Sequence, residues 1–411
     1  MILKLAAVSL LGLFLVSGFA ISPAQAIQPS KMQEVSITVG IELGLASQVI
    51  QWVKQYAGSL HFTFVIDGNG TDTSFTTHKR PYDWDQSWFF TNSTWFKSLS
   101  AYGDVIPSIP FALQVQAPKD RIAAVSHVLQ VWRTQTGRYP PGVFAYQPDT
   151  VISNFLRNKG IGYILGYCFD QYQIDWMTER GGWQLPYYAS RTNVLAPGNR
   201  SAGGTVILPY VTWDWLASFT VNHDLDGEPS GIPVDNATAY LIGLISASFA
   251  SSSPFLYFGF SFFFGSADLP TIGQVLHWVI RQHYLTMPAS QFVVWFRDHY
   301  RKTPTYSVNF VSPYDGQSVE WYYSQSYRIA RTNGSVVSFV DYTKQAPDRF
   351  LTGEAIVNFS LPHTGTNNID NSLSFVIDGL GGGLYRAPVR DPGVPFSGSL
   401  ASFPAWYYGR A

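Results

Sequence analysis

Cysteine and charge are what this 411-residue chain has least of. Its single cysteine, Cys168, excludes an intrachain disulfide and a metal site built from cysteines. Charged residues make up 13% of the chain, and the formal net charge is only −1. Nucleic acids and anionic membrane surfaces are bound through basic patches, so neither is predicted as a partner.

Two signatures of other protein classes are also missing. No Gly-x-Gly-x-x-Gly phosphate loop follows the first predicted strand, which disfavours a nucleotide-binding fold. Beyond residue 26, no apolar run is long enough for a transmembrane helix. The most apolar segment there, Ser253–Phe264, is predicted to be a buried strand.

The N-terminus carries the features of a secretory signal peptide. Lys4 precedes the apolar run Leu5–Ile21, and an Ala-Gln-Ala tripeptide ends at Ala26. This order predicts cleavage after Ala26 and a secreted protein that has no membrane partner once the signal is removed. An uncleaved membrane anchor is the alternative interpretation.

Strand and helix patterns alternate over the first three quarters of the chain. Nearly continuous apolar runs, which are typical of parallel strands buried on both faces, are separated by amphipathic helical patterns. The predicted strands are Val35–Leu43, His61–Asp67, Ile109–Val115, Val143–Gln147, Tyr163–Cys168, Thr205–Tyr210 and Phe255–Phe264. This repetition predicts an α/β fold, a β/α barrel of about seven parallel strands over residues 27–303.

The pattern changes after Pro304. Short segments that alternate like strands follow, and Asn333-Gly334 between two of them is a strong hairpin signal. These features predict an antiparallel, β-sandwich-like domain over residues 304–411, with an irregular tail after Gly379.

Carboxylates occur where the predicted parallel strands end. In a β/α barrel, the segments after the strands face the mouth of the active site. Glycoside hydrolysis uses two carboxyl groups, and burial beside an aromatic ring raises the pKa of one of them. Asp175 and Asp214, which stand next to tryptophans, are therefore predicted as the catalytic pair, with Glu42, Asp67 and Asp170 in support. For each single carboxylate, a loop cap or a solvated group is the alternative.

Aromatic and hydrogen-bonding residues cluster in the same segments. Aromatic rings pack on the C–H faces of sugars while polar groups bind their hydroxyls, so a carbohydrate is the predicted ligand. No metal ion and no cofactor are predicted. The predicted substrate-binding residues are Gln147, Tyr172, Trp176, Arg180, Trp183, Tyr187, Tyr188, Trp213 and Trp215.

The order of motifs over Ile109–Trp176 resembles the polysaccharide deacetylase-like branch of the glycoside hydrolase/deacetylase barrels. In that superfamily, a helix ending in Thr-Gly-x-x-Pro leads into a strand ending in Arg-Pro-Pro, and a Gly-Tyr strand and an Asp-x-x-x-Asp-Trp-like segment follow. The parallel text here is QTGRYPPGVFAYQPD, LRNKGIGYILGYC and DQYQIDW. The GYC and PYY wording is similar to a functionally uncharacterised secreted group within these barrels.

The same resemblance exposes missing metal ligands. The deacetylases hold a divalent metal with one Asp and two His, and the corresponding strand here carries Gln114 and Gln116. Neutral amides are poor zinc ligands. Gln147 replaces the Arg of Arg-Pro-Pro, Glu42 stands where an Asp-Asp pair is expected, and the last strand has no histidine.

Three functions remain open at the level of sequence. The favoured one is a secreted hydrolase that cleaves glycosidic bonds of a poly- or oligosaccharide with carboxylates. The second is a non-catalytic glycan-binding or cell-surface protein on a degenerate deacetylase barrel. The third is a metal-dependent polysaccharide deacetylase with a rearranged site.

Overall fold

The computed structural model describes residues 32–68, 85–109, 118–145, 150–166, 185–192, 194, 196–202, 204–212, 237–250, 253–265, 269–311, 316–343, 369–370, 375–377, 384–386 and 393–410. The predicted signal peptide lies outside these ranges. From Met32 onward the chain forms one compact unit.

Short parallel strands form the first part of the fold, and their near-complete burial explains the continuous apolar runs. The strands are β1 (Gln33–Ile41), β2 (Phe62–Ile66), β3 (Gly103–Pro107), β4 (Gly142–Phe144), β5 (Tyr163–Leu165), β6 (Tyr187–Tyr188), β7 (Val206–Leu208), β8 (Val211–Thr212) and β9 (Leu256–Phe263). Their hydrogen-bonded order is β3-β2-β1-β9-β8 in one sheet and β4-β5-β7-β6 in another, and among these described strands only β6 is antiparallel.

The two parallel sheets are joined at two places. A parallel bridge between Ser108 and Phe144 connects the end of β3 to β4. On the other side, β7 and β8 follow each other within residues 206–212, so one stretch of chain pairs with β5 and then with β9.

Helices separate the parallel strands, as the amphipathic patterns predict. In the first helix, Ala46, Val49 and Val53 recur at helical spacing and are all buried. Gly160 follows the fourth helix with φ of 77°, as expected of a glycine beyond a helix end. The helices are α1 (Ala46–Val53), α2 (Ser93–Ser100), α3 (Pro118–Thr136), α4 (Thr150–Asn158), α5 (Ala237–Phe249), α6 (Leu269–Arg281), α7 (Ala289–His299) and α8 (Phe403–Tyr408).

Helix α7 contacts the beginnings of four parallel strands, and the segment just before it contacts a fifth. Its first backbone N–H groups, on Ala289 and Ser290, donate to Thr63 Oγ1 of β2 and to Asp104 of β3. Near its other end, the Arg297 guanidinium donates to the carbonyls that precede β5 and β7. Just before the helix, the Met287 N–H donates to the carboxylate of Glu34 on β1. This end of the strands is therefore held by α7 and its approach segment.

An antiparallel sheet follows residue 304, as predicted. At its central hairpin, Asn333 and Gly334 have φ of 49° and 75°, which confirms the predicted turn. One face of the sheet, including Trp321, joins the main core, and the other, including Phe339, packs on Phe403 of α8. The strands are β10 (Tyr306–Val311), β11 (Ser318–Tyr323), β12 (Tyr327–Thr332), β13 (Ser335–Asp341), β14 (Ile369–Asp370) and β17 (Val394–Pro395), beside a hairpin of β15 (Phe375–Ile377) and β16 (Leu384–Arg386).

The structure differs from the predicted element map at two places. The strand at Gly103–Pro107 is not predicted by the sequence pattern, and the predicted strand Ile109–Val115 lies mostly outside the described residues. The tail after Gly379 contains helix α8, which is anchored because the Tyr408 hydroxyl donates to Asp341 at 2.8 Å. None of the helices in the described ranges is both long and apolar enough to cross a bilayer.

Candidate functional site

Asp67 and Ser108 lie side by side where β2 and β3 end. The ladder of backbone hydrogen bonds continues past both strands, because the Asp67 N–H donates to Ile41 O at 3.0 Å and the Ser108 N–H to Ile66 O at 2.9 Å. The Ser108 hydroxyl donates to Asp67 Oδ1 at 2.7 Å. Asp67 is half-buried and Ser108 is buried. The sheet itself thus places a partly exposed carboxylate at the strand ends and orients it with a hydroxyl donor.

The segment from Asp85 to Thr91 crosses these two strand ends. The Trp88 indole N–H donates to Asp67 O at 2.9 Å, and the Gln86 amide donates to Ser108 O at 3.1 Å. Gln86 is fully buried. Trp88 and Gln86, which are close in sequence, therefore hold the backbone of Asp67 and of Ser108 in place.

Asp85 ties this segment to helix α3. Its carboxylate accepts the Ser87 N–H at 2.8 Å and contacts His127 Nε2 at 3.1 Å. Burial would raise the pKa of Asp85, but the hydrogen bonds from Ser87 and His127 outweigh it, so the pKa is lowered. Because the Asp85 side chain is 16% exposed and that of His127 is 40% exposed, the pair is a partly solvated anchor.

Of the other predicted catalytic residues, only Glu42 falls within the described ranges. It follows the end of β1, its side chain is exposed, and its carboxylate forms no hydrogen bond or ion pair with another described residue. Asp170, Asp175 and Asp214 lie outside the described residues.

Tyr187 and Tyr188, which were predicted to bind substrate, are both buried. Their hydroxyls donate to Val194 O at 3.2 Å and to Tyr300 O at 2.7 Å. In this position the two rings pack in the core and hold β6 in place. The remaining predicted substrate-binding residues lie outside the described ranges: Gln147, Tyr172, Trp176, Arg180, Trp183, Trp213 and Trp215.

The described side chains do not fit a divalent metal at this end of the strands. No group of three or more His, Cys, Asp or Glu comes together among the described residues. Among the described residues, Ser108, a neutral hydroxyl, donates to Asp67, whereas a zinc site gathers imidazoles, thiolates and carboxylates. No chemical step is therefore assigned to a metal.

Sequence reasoning found Asp67 but missed Ser108, Gln86 and Trp88 as its supports. Asp67 stands out because a carboxylate directly follows an apolar strand. Ser108 follows Pro107, which does not look like a strand end, and Gln86 sits in a loop whose contacts no local pattern reveals. The available signal was the density of polar and aromatic residues in DWDQSW.

Known proteins match this chain in part of its sequence and in its fold. A family model described as a domain of unknown function with a solved structure, DUF3863, matches residues 98–245. No curated protein matches the chain.

Solved structures provide the likeness in fold. A Parabacteroides distasonis protein described as a glycoside hydrolase/deacetylase superposes with a TM-score of 0.52 at 12% identity, covering 90% of this chain and 89% of its own. A Mycobacterium smegmatis protein described as a polysaccharide deacetylase superposes with a TM-score of 0.43 at 12% identity, covering 67% of this chain and 95% of its own. The carbohydrate deacetylase Agd3 superposes with a TM-score of 0.39 at 11% identity, covering 77% of this chain and 60% of its own. The first of these likenesses shows that this chain has a mixed α/β fold of the kind found in glycoside hydrolase/deacetylase proteins.

Proposed function

We propose that this protein is secreted and cleaves glycosidic bonds in a poly- or oligosaccharide, using carboxylates at the C-terminal ends of its parallel strands. The observation that carries the proposal is the Asp67 carboxylate, which is half-buried at a strand end and oriented by the Ser108 hydroxyl. The description of the Parabacteroides distasonis protein, whose fold this chain shares, also points to carbohydrate chemistry.

The proposed mechanism needs two carboxyl groups on opposite sides of the scissile bond. Asp67 is one fixed carboxylate, because its backbone is held by Trp88 and its side chain by Ser108. Asp175 and Asp214, on segments that follow later strands, are the proposed acid and nucleophile or base. Asp67 then supports the pair by binding a sugar hydroxyl or by stabilising the positive charge that develops on the sugar ring.

A closed barrel is part of the same proposal. The pairings run from β1 through β2, β3, β4 and β5 to the β7–β8 stretch, then to β9 and back to β1. If β7 and β8 are counted as one strand, this ring has seven members. In a barrel, all the strand-end carboxylates meet at one mouth. The proposed division is a signal peptide over residues 1–26, the barrel over 27–303 and a β-sandwich-like domain over 304–411.

The test uses the secreted protein on a panel of neutral, N-acetylated and O-acetylated oligosaccharides, with reducing ends and released acetate measured in parallel. We expect reducing ends from at least one glycan, and a loss of at least about 100-fold in Asp67→Asn, Asp175→Asn and Asp214→Asn. Asp298→Asn, at an exposed position on α7, is the matched control and should keep full activity.

Other outcomes would replace the proposal. Acetate release without new reducing ends would identify a deacetylase. Binding on a glycan array with no turnover of any bound glycan would identify a binding protein. Unchanged cleavage in all three aspartate variants would show that these carboxylates take no part in the reaction.

A further inference from the structure

A polar cavity of about 330 Å³ lies at the end of the strands opposite to Asp67. It is bordered by Gly103, Asp104 and Val105, the first residues of β3, whereas Ser108 follows the last. At about 3.3 Å per strand residue, Asp104 and Ser108 are roughly 13 Å apart along the chain. The cavity is therefore separate from the proposed catalytic end.

Asp104 supplies one acceptor to the cavity after its internal hydrogen bonds are made. Its Oδ2 accepts the Tyr163 hydroxyl at 2.8 Å and the Ser290 N–H at 2.7 Å, and its Oδ1 accepts the Ser290 hydroxyl at 2.7 Å. A carboxylate has about four acceptor positions, so three internal donors leave about one for a ligand. Its negative charge is also partly balanced by the N-terminus of α7.

His61 supplies a second acceptor. Its Nδ1 lies 2.9 Å from the Thr286 carbonyl, which accepts hydrogen bonds only. Nδ1 therefore carries the proton, and in the neutral ring Nε2 is left as an acceptor. His61 is exposed and borders the cavity.

Arg138 and Gln291 supply the donors. Both border the cavity, both are exposed, and neither side chain forms a hydrogen bond with another residue in the part of the chain that the structure describes. The Gln291 amide can also accept. The lining of the cavity also includes the half-buried rings of Phe96 and Tyr139.

The balance of these groups selects one class of ligand. The Asp104 carboxylate disfavours an anion and the Arg138 guanidinium disfavours a cation, and the cavity offers both donors and acceptors beside aromatic rings. Hydroxyl groups donate and accept at once, and sugar C–H faces pack on rings. The volume is at the small end of the range for ligand sites, about 300 to 1,000 Å³. We propose that the cavity binds a single neutral sugar unit, independently of the proposed catalysis.

Saturation-transfer NMR on the full-length secreted protein tests this site, with glucose, galactose, mannose and N-acetylglucosamine as separate probes. We expect at least one sugar to bind, and its affinity to fall at least about tenfold in the double variant Arg138→Ala/Gln291→Ala. Ala101→Trp, an exposed cavity residue, should fill the site and also abolish binding. Arg281→Ala, an exposed arginine on α6, is the matched control.

Asp67→Asn separates this proposal from the proposed function. Binding that persists in Asp67→Asn and disappears in the cavity variants, with unchanged circular dichroism, supports the cavity whether or not the protein cleaves glycans. The proposal is overturned if none of the four sugars binds, or if binding is the same in wild type, Arg138→Ala/Gln291→Ala and Ala101→Trp.

Discussion

The two ends of the parallel strands use carboxylates in different ways. At the beginnings, Asp104 and Glu34 receive donors from α7 and its approach segment, and they hold that helix against the strands. At the ends, Asp67 receives the Ser108 hydroxyl from the neighbouring strand and remains half-buried. The same residue type therefore holds a helix in place at one end and belongs to the proposed catalytic site at the other, and the difference lies in what the fold packs against each carboxylate.

Removing Asp104 gives the largest expected effect on stability. Asp104→Ala deletes three hydrogen bonds and leaves the fully buried Tyr163 hydroxyl without its acceptor. We expect the free energy of unfolding in urea to fall by about 3 kcal/mol. Asp298→Ala, whose carboxylate is 63% exposed on α7, should cost under about 0.5 kcal/mol. Equal losses of unfolding free energy in the two variants would contradict a structural role for the strand beginnings.

Glu34 makes the stability of the strand beginnings depend on pH. Burial raises the pKa of Glu34 well above its ordinary value, and the hydrogen bond from Met287 opposes this only in part. The folded state thus binds the proton more tightly than the unfolded state. The stability contribution is full below the unfolded pKa and is lost as the pH rises through the folded pKa.

Glu34→Gln tests this dependence because it keeps an acceptor for the Met287 N–H and removes the titration. Above the folded pKa, we expect the variant to exceed wild type by about 1.4 kcal/mol for each tenfold change in the acid constant of Glu34. Urea midpoints between pH 4 and 9 measure it. Glu42→Gln, at the exposed end of the same strand, should leave the curve unchanged. Parallel curves for Glu34→Gln and wild type would refute the argument.

The smallest expected effects come from removing the hydroxyls of two serines, each of which donates to a carboxylate at 2.7 Å. Ser108→Ala and Ser290→Ala remove the hydroxyl donors of Asp67 and Asp104, and each should lower the free energy of unfolding by about 1 kcal/mol. Only Ser108→Ala should also reduce cleavage of a glycan that wild type hydrolyses. Equal activity of the two variants would show that orienting Asp67 does not matter to the chemistry.

Local patterns were sufficient where neighbours in sequence decide the structure. The α3 helix and the hairpin at Asn333-Gly334 follow from helical periodicity and from residues that tolerate positive φ. Local patterns failed to predict the third strand, Gly103–Pro107, because it contains an aspartate and ends in proline. Asp104 is accommodated there because Ser290 of α7, which is 186 positions away in sequence, supplies two of its three donors.

The candidate site divides in the same way. The order of an apolar strand followed by a carboxylate was enough to single out Asp67. Its support depends on Ser108, 41 positions later, and on Trp88, 21 positions later. Ser108 carries no local signal, and Trp88 carries only that of the polar and aromatic segment DWDQSW. For Tyr187 and Tyr188, the local pattern was misleading. A Pro-Tyr-Tyr pattern suggests rings that bind sugar, but the pairing of β6 with β7 buries both rings.

Sequence by itself determined the alternation of strands and helices, the antiparallel sheet after residue 304 and the presence of carboxylates at strand ends, because apolar periodicity and turn residues act over a few positions. Tertiary structure alone decided which donors each carboxylate receives. The fold brings these donors from distant segments, such as α7 for Asp104 and the neighbouring strand end for Asp67. Hydrogen bonds reach about 3 Å in space regardless of separation in sequence, so the roles of these two aspartates became visible only once the strands were paired.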